Sequence, residues 1–200
     1  LRPRGSLKIY IHFKINTMTL LTLENASFAV GHVPLLDHTA FQLAQGEKMG
    51  LIGRNGAGKT TTIKSILRLV RPNGGTVQFL GKPLDMDASA LRREAGYVSG
   101  DLCYYPRKRL SQLTAVTKSF YPSWDDKKYE ALLHRFSLDE TKRVCELSAG
   151  MKVKYQLACA LSHGAKLLIL DEPTSGLDPV SRDDLLDLLR TLCEQGGVSI

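Results

Sequence analysis

Residues 53–60 have the sequence GRNGAGKT, which matches the phosphate-binding pattern G-x-x-x-x-G-K-[ST]. Glycines in such a loop let backbone N–H groups point at a polyphosphate. Lys59 can reach the β- and γ-phosphates, and the Thr60 hydroxyl can bind Mg²⁺. The apolar run at 49–52 predicts a strand before the loop, and the apolar spacing of 61–70 predicts a helix after it. A helix N-terminus behind a glycine loop favours anions. The alternative is a glycine-rich turn that binds nothing.

The bulk composition indicates a globular chain of one domain. It has 200 residues, of which 43% are hydrophobic, and no apolar stretch is long enough to span a membrane. No secretory signal is expected, because polar residues interrupt the apolar pieces near the start. The net charge of +7 suits an anionic partner such as a nucleotide, nucleic acid or a membrane face. For the basic cluster at 107–109, a solvated surface is the alternative.

The four cysteines lack metal-binding spacing, so we expect free thiols in a reducing compartment.

The first residues do not contribute to the predicted fold. Residues 1–6 (LRPRGS) are similar to a protease-site linker, and Met18 is a plausible native start. We therefore expect residues 1–17 to be a tag, a leader or a disordered extension, with a natural basic extension as the alternative.

Strand and helix patterns alternate along residues 18–200. Strands at 20–28 and 39–43 are predicted to form an antiparallel arm. Residues 106–146 are charged, have helical spacing and show no convincing strand, so a helical subdomain is expected at about 104–163. The alternation predicts an α/β fold with ligands at the carboxyl ends of the strands. The other predicted elements are strands at 76–80, 96–98, 167–171 and from 198, and helices at 89–94, 151–162 and 181–193.

Two acidic residues follow the apolar strand at 167–170. Asp171 is suited to holding Mg²⁺, directly or through water. Glu172 is suited to orienting and deprotonating an attacking water. Two acids after a strand are often structural, and the phosphate-binding loop is what favours the catalytic interpretation here.

A third segment, 147–151, places Ser148 as a helix N-cap and Gly150 where a phosphate could approach the helix. The alternative is an ordinary capped helix, which this segment taken alone favours.

Taken together, the loop at 53–60, the segment at 147–151, the acidic strand end at 167–172 and the following 175–179 (SGLDP) resemble the ATP-binding subunits of ABC transporters. The resemblance covers about residues 20–200. It implies a P-loop NTPase (RecA-like) α/β core with an antiparallel β arm and a helical signature subdomain. It also implies ATP and Mg²⁺ as ligands, and two chains packed head to tail, as a homodimer or with a paired ATPase subunit.

The resemblance also implies roles for individual residues. Lys59 and Glu172 would be catalytic, Thr60 and Asp171 would hold the metal, and Asp178 would lie at the dimer seam. The adenine would contact Phe28 and Val30. The signature would act on the partner's nucleotide through Leu147, Ser148, Ala149, Gly150 and Met151. The phosphates would be bound by Gly53, Asn55, Gly56, Ala57, Gly58, Lys59, Thr60 and Thr61.

The chain departs from the family pattern at several positions. Ala149 and Met151 stand where Gly and Gln are usual, and Val30 stands where an adenine-stacking Tyr is usual. The Gln expected after the strand at 96–98 is replaced by 99–101 (SGD), in which Asp101 could take over its contact. The family's switch His would lie just past Ile200. We therefore expect ATP binding to outlast efficient hydrolysis.

The function that the resemblance implies is powering transport. Residues 104–124 and 174–182 are most like ATPases of the ABC-2 or drug-efflux type, which act in export. Such a subunit is expected to be cytoplasmic and peripheral on the membrane, bound to a membrane-spanning subunit, and not to bind nucleic acid. Two alternatives stay open: a soluble ABC-type ATPase acting on ribosomes or nucleic acid, and a hydrolysis-deficient ATP-binding fragment.

Overall fold

The computed structural model describes residues 8–12, 18–30, 33–54, 56–70, 74–84, 88–100, 105–194 and 198–200. The chain divides into a first unit, Leu1–Arg92 with Cys193–Ile200, and a second unit, Arg93–Leu192. Some of the sequence-based expectations fall outside this description. They concern residues 1–7 and 13–17, Asn55, Asp101 and the side chains of Phe28 and Val30.

The first unit is built mainly from antiparallel strands. Four of its strands form one sheet in the order β3-β2-β5-β6, and β1 pairs antiparallel with β4. The pairing of β2 with β3 confirms the predicted antiparallel arm. Strand β2 lies between β3 and β5, and its Leu20, Leu21 and Leu23 are all buried. The elements are β1 (Lys8–His12), β2 (Thr19–Val30), β3 (Val33–Ala44), β4 (Lys48–Ile52), α1 (Lys59–Ile66), β5 (Gly74–Phe79), β6 (Lys82–Pro83) and α2 (Ser89–Glu94), whose last residues enter the second unit.

Helix α1 ends earlier than its apolar spacing predicts. The predicted helix at 61–70 is Lys59–Ile66 in the structure. The chain leaves the helix because Arg68 takes a positive φ of 56°, which the α-helix does not allow. Ile63 and Ile66 are buried as predicted, whereas Val70 is 37% exposed. Val70, the last apolar residue of the predicted helix, therefore lies beyond α1 and does not extend its buried face.

A short segment at 198–200 runs along β4. The N–H of Ile200 donates to the carbonyl of Glu47 at 3.0 Å, and the N–H of Met49 donates to the carbonyl of Ile200 at 2.7 Å. Ile200 thus bonds to the residues before and after one residue of β4, which is the pattern of a parallel strand pair. The strand predicted from residue 198 is thus a single bridging position in the structure, next to the strand that leads into the glycine loop.

Ser199 fixes the turn that precedes β4. Its Oγ accepts a hydrogen bond from the N–H of Gly46 at 2.8 Å and donates to the carbonyl of Ala44 at 3.3 Å. The residue is fully buried. Backbone groups in this half-buried turn thus find their partners on a side chain more than 150 residues away in the chain.

The second unit combines a parallel strand pair with helices. Strands β7 and β8 pair in parallel, with Ala95 opposite Leu167 and Ser99 opposite Asp171. The predicted strand at 167–171 is present; Leu167 and Leu168 are buried, and its last three residues are half-buried. The segment 106–146 is helical as predicted, with a β-bridge between Arg109 and Arg143. The elements are β7 (Ala95–Ser99), α3 (Leu110–Ser119), α4 (Asp126–Arg135), a 3₁₀ turn (Val144–Glu146), α5 (Ala149–Ser162), β8 (Leu167–Asp171) and α6 (Pro179–Glu194), which ends in the first unit.

A buried hydrogen-bond network joins three helices of the second unit. The Thr114 hydroxyl on α3 lies 2.7 Å from the hydroxyl of Tyr129 on α4 and 3.1 Å from that of Tyr155 on α5. Tyr129 also donates to Glu140 at 3.0 Å. Burial raises the pKa of both tyrosines, and it raises the pKa of the neighbouring Cys159 thiol to about 12. These groups therefore stay protonated and act as fixed donors at neutral pH.

Gly96 allows α5 to pack closely on β7. A Cβ at this position would collide with the Cβ of Ala160 and would lie 2.9 Å from Cδ2 of Leu168. Both neighbours are buried, so neither has open space into which it could move. The glycine is therefore required by packing.

We predict that Gly96→Ala lowers the free energy of unfolding by about 1–3 kcal/mol, the usual cost of overpacking a core. The measurement is urea unfolding followed by the fluorescence of Trp124, the one tryptophan, which lies in the second unit. Gly150→Ala is the control, because a Cβ at residue 150 would have its nearest neighbour at 3.6 Å. Equal midpoints for the two variants would contradict the packing argument.

Candidate nucleotide-binding site

The glycine loop lies between β4 and α1 in the first unit. Gly56 and Gly58 have φ angles of 80° and 93°, which side-chain-bearing residues rarely adopt. The N–H of Ala57 donates to the carbonyl of Arg54 at 3.0 Å and closes the turn. A Cβ at Gly56 would meet nothing within 4 Å, so neighbouring atoms do not exclude a side chain there. The positive φ angle is what requires a glycine at this position. The loop therefore bends as the phosphate-binding pattern requires.

The start of α1 is suited to an anion. Gly58 is its N-cap residue and provides no side-chain cap, and the first turn contains no acidic residue. The partial positive charge of a helix N-terminus is thus not neutralised by a carboxylate of that turn. Thr60 and Thr61 lie half-buried in the same turn. The arrangement fits a polyphosphate, with a hydroxyl available to a bound Mg²⁺.

Lys59 folds back over the loop. Its Nζ donates to the carbonyl of Gly53 at 2.8 Å and approaches the carbonyl of Arg54 at 3.4 Å. The ammonium is therefore held at the loop, where it can balance the charge of a phosphate.

Asp171 and Glu172 stand at the carboxyl end of β8 in the second unit. Asp171 is its last residue, and its Oδ2 accepts a hydrogen bond from the hydroxyl of Tyr97 on β7 at 3.2 Å. Glu172 is exposed and has a φ of 50°. A non-glycine residue in this region costs about 1–3 kcal/mol, and such strain is common at functional sites.

Gly100 brings the end of β7 against these two acids. Its N–H donates to the carbonyl of Asp171 at 3.1 Å. A Cβ at this position would lie only 2.5 Å from the carbonyl oxygen of Glu172. A residue with a side chain at position 100 would therefore displace the backbone of Glu172.

The predicted signature segment begins helix α5. Ser148 is the N-cap, and its Oγ accepts a hydrogen bond from the N–H of Met151 at 3.2 Å, as predicted. Leu147 is buried and anchors the turn. Ala149 is the first helical residue, so it does not need a glycine's conformations.

Gly150 lies near the segment that contains Asp178. A Cβ at residue 150 would lie 3.6 Å from Cδ2 of Leu177 and 3.8 Å from Cβ of Ser181. These are ordinary contact distances, so packing within the chain does not require a glycine. The structure thus brings the predicted signature and the predicted dimer-seam residue into one region of the second unit.

Two contacts were not anticipated from the sequence. One is the bond between Tyr97 and Asp171. The other joins Gln156 of α5 to Ser99: Oε1 of Gln156 accepts from the N–H of Ser99 at 3.1 Å, and its Nε2 donates to the carbonyl of Ser99 at 2.9 Å. Gln156 is buried, and a polar residue at a buried helix position needs partners. This need for partners was the signal in the sequence that could have pointed to the contact.

A strand, a positive-φ glycine loop with a folded-back lysine, and a helix N-terminus define a P-loop NTPase fold. A family model described as "ABC transporter" matches residues 36–175. The chain belongs to this family.

Individual relatives agree with this membership. The chain is 31% identical over 170 residues to the ABC transporter ATP-binding protein YtrB of Bacillus subtilis, covering 85% of this chain and 58% of that protein. It is 34% identical over 189 residues to the Nod factor export ATP-binding protein I of Rhizobium etli, covering 92% and 60%. The bacitracin transport ATP-binding protein BcrA of Bacillus licheniformis is 30% identical over 184 residues, covering 91% and 60%. The chain spans about three fifths of the length of these relatives.

Solved structures confirm the predicted α/β P-loop fold. An ATP-binding subunit of an ABC transporter superimposes with a TM-score of 0.76 at 30% identity, covering 90% of this chain and 78% of that one. CbiO1 from Clostridium perfringens, described as part of the transporter complex CbiONQ, gives a TM-score of 0.73 at 26% identity, covering 91% and 76%. Among the residues that the structure describes, no helix has the length and apolarity needed to cross a membrane.

The pKa of Asp178 can be used to test the hydrogen bonds at the N-terminus of α6. Its Oδ1 accepts a hydrogen bond from the N–H of Ser181 at 3.0 Å. Hydrogen bonds from the Ser181 side chain and backbone lower the pKa of this exposed carboxyl.

We predict that Ser181→Ala raises the pKa of Asp178 part of the way to its ordinary value, because the side-chain donor is lost and the backbone donor remains. Carboxyl ¹³C shifts measured against pH report the change. Asp139, whose pKa is lowered by Thr141, is an internal control that should not move. An unchanged pKa at Asp178 would mean that the Ser181 hydroxyl contributes nothing.

Proposed function

We propose that this chain is the ATP-binding and ATP-hydrolysing subunit of an ABC transporter and that it powers export. The observation that carries the proposal is the loop at 53–60. Its glycines have the required φ angles, its lysine is held at the loop by the Gly53 carbonyl, and the helix behind it starts without an acidic residue. Family membership and the names of two relatives, for Nod factor export and bacitracin transport, support the transport role.

The loop binds the phosphates of ATP through its backbone N–H groups and Lys59. Thr60 and Asp171 hold Mg²⁺, which neutralises phosphate charge when it is bound. Gly53, Asn55, Gly56, Ala57, Gly58 and Thr61 complete the phosphate site, and Phe28 and Val30 contact the adenine.

Glu172 acts as the base in hydrolysis. The oxygen of a water molecule forms a bond to the γ-phosphorus, the bond from that phosphorus to the ADP oxygen breaks, and Glu172 takes a proton from the water. Its exposed carboxyl and its position next to Asp171 support this role. The strained φ at Glu172 is consistent with a residue held in place for chemistry.

Two copies, or one copy and a paired subunit, enclose each ATP. Leu147, Ser148, Ala149, Gly150 and Met151 of one chain cover the γ-phosphate held by the loop of the other, with Asp178 at the seam. The start of α5 has no acidic residue in its first turn, so it can share the phosphate charge with α1. Loss of the γ-phosphate would then open the dimer. This opening would move a membrane-spanning subunit, and the protein lies on the cytoplasmic face of that subunit.

We predict that Lys59→Ala weakens ATP binding at least tenfold, because a charge-assisted contact to phosphate is worth about 1.5–3 kcal/mol. Glu172→Gln should keep ATP binding, stop hydrolysis and accumulate an ATP-bound dimer. Fluorescent-nucleotide titration, phosphate release and light scattering measure the three quantities. ATP hydrolysis at the wild-type rate in both variants would refute the proposed site.

We also predict that Gly150→Ala leaves the melting temperature and ATP binding by the monomer unchanged but weakens the ATP-dependent dimer about tenfold, which is 1.4 kcal/mol. The added methyl fits within its own chain at 3.6 Å. Any loss must therefore come from what approaches α5 from outside. Light scattering of Glu172→Gln with and without Gly150→Ala measures the effect, and identical dimer affinities would exclude a close approach to Gly150.

A further inference from the structure

Tyr97 and Asp171 lie on the same face of the β7–β8 pair. In the parallel register, Tyr97 is opposite Ile169, and Asp171 follows Ile169 by two residues. Side chains two residues apart on a strand point to the same face, so a long side chain on β7 can reach diagonally to Asp171. The Tyr97 hydroxyl does so, donating to Oδ2 at 3.2 Å.

This bond restricts the Asp171 carboxylate. With Oδ2 held by a donor, rotation about the terminal torsion is limited and the direction of Oδ1 is set. Groups that hydrogen-bond a metal-binding carboxylate orient it, and losing them commonly costs ten- to a hundredfold in metal affinity.

We infer that Tyr97 is a positioning residue whose hydroxyl orients the Asp171 carboxylate for the Mg²⁺ that accompanies ATP. The inference rests on the proposed function, in which Asp171 holds that ion. It assigns to this chain a residue that acts on the metal through another side chain, without touching nucleotide.

The hydroxyl is not needed to hold the strand end in place. The backbone bond from Gly100 to Asp171 and the β7–β8 ladder already do this. Tyr97 is 38% exposed, and a hydrogen bond at such a site adds little to stability. Tyr97→Phe keeps the ring and removes only the donor, so the variant is expected to fold.

The test is titration of a fluorescent ATP analogue at a series of Mg²⁺ concentrations, with Mn²⁺ binding followed by electron paramagnetic resonance as a second readout. In Tyr97→Phe, we expect analogue affinity without metal to equal that of the wild type, and the Mg²⁺ and Mn²⁺ concentrations for half-saturation to rise about tenfold. Tyr121→Phe is the matched control, because Tyr121 makes a ring stack on His163 that phenylalanine preserves.

A double-mutant cycle separates this inference from the proposed function. Asp171→Asn should reduce the metal dependence, and adding Tyr97→Phe to it should have no further effect. If Asp171→Asn matters and Tyr97→Phe behaves as wild type, the inference is wrong and the proposed site stands. If Tyr97→Phe weakens binding equally with and without metal, the hydroxyl does not act through the metal and the inference is wrong. If Asp171→Asn leaves the metal dependence unchanged, both assignments fail.

Discussion

The parallel register of β7 and β8 is the constraint on which the arrangement of the acidic strand end depends. Because Ser99 lies opposite Asp171, the chain that leaves β7 meets the two acids through Gly100. The same register places the Tyr97 hydroxyl within reach of Asp171. A slip of one residue would turn Tyr97 to the other face and remove this contact.

Helix α5 depends on the same strand pair. Gly96 lets its backbone approach β7, and Gln156 pairs with both backbone groups of Ser99. The first residues of α5 form the signature segment, and a displacement of this helix would pull on the end of β7. The buried tyrosine network ties α5 to α3 and α4, so the helices are linked to one another by protonated donors.

Much of this organisation could be predicted from the sequence, because it follows from local patterns. The glycine loop, the strand at 167–171 and the cap at Ser148 each depend on a few adjacent residues, and the structure contains all three. The end of α1 could not be predicted in this way. Leu69 and Val70 extend the apolar spacing, but the positive φ of Arg68 ends the helix before them. The partners of Tyr97 and Gln156 were missed for a different reason. Each lies more than 50 residues away in sequence, and periodicity describes one element at a time.

The first unit is discontinuous, because its sheet-forming residues come from the start of the chain and its last residues are Cys193–Ile200. Ser199 and Ile200 supply hydrogen bonds to residues 44–49. During synthesis on a ribosome, the turn before β4 must wait for these residues until the whole second unit has been made.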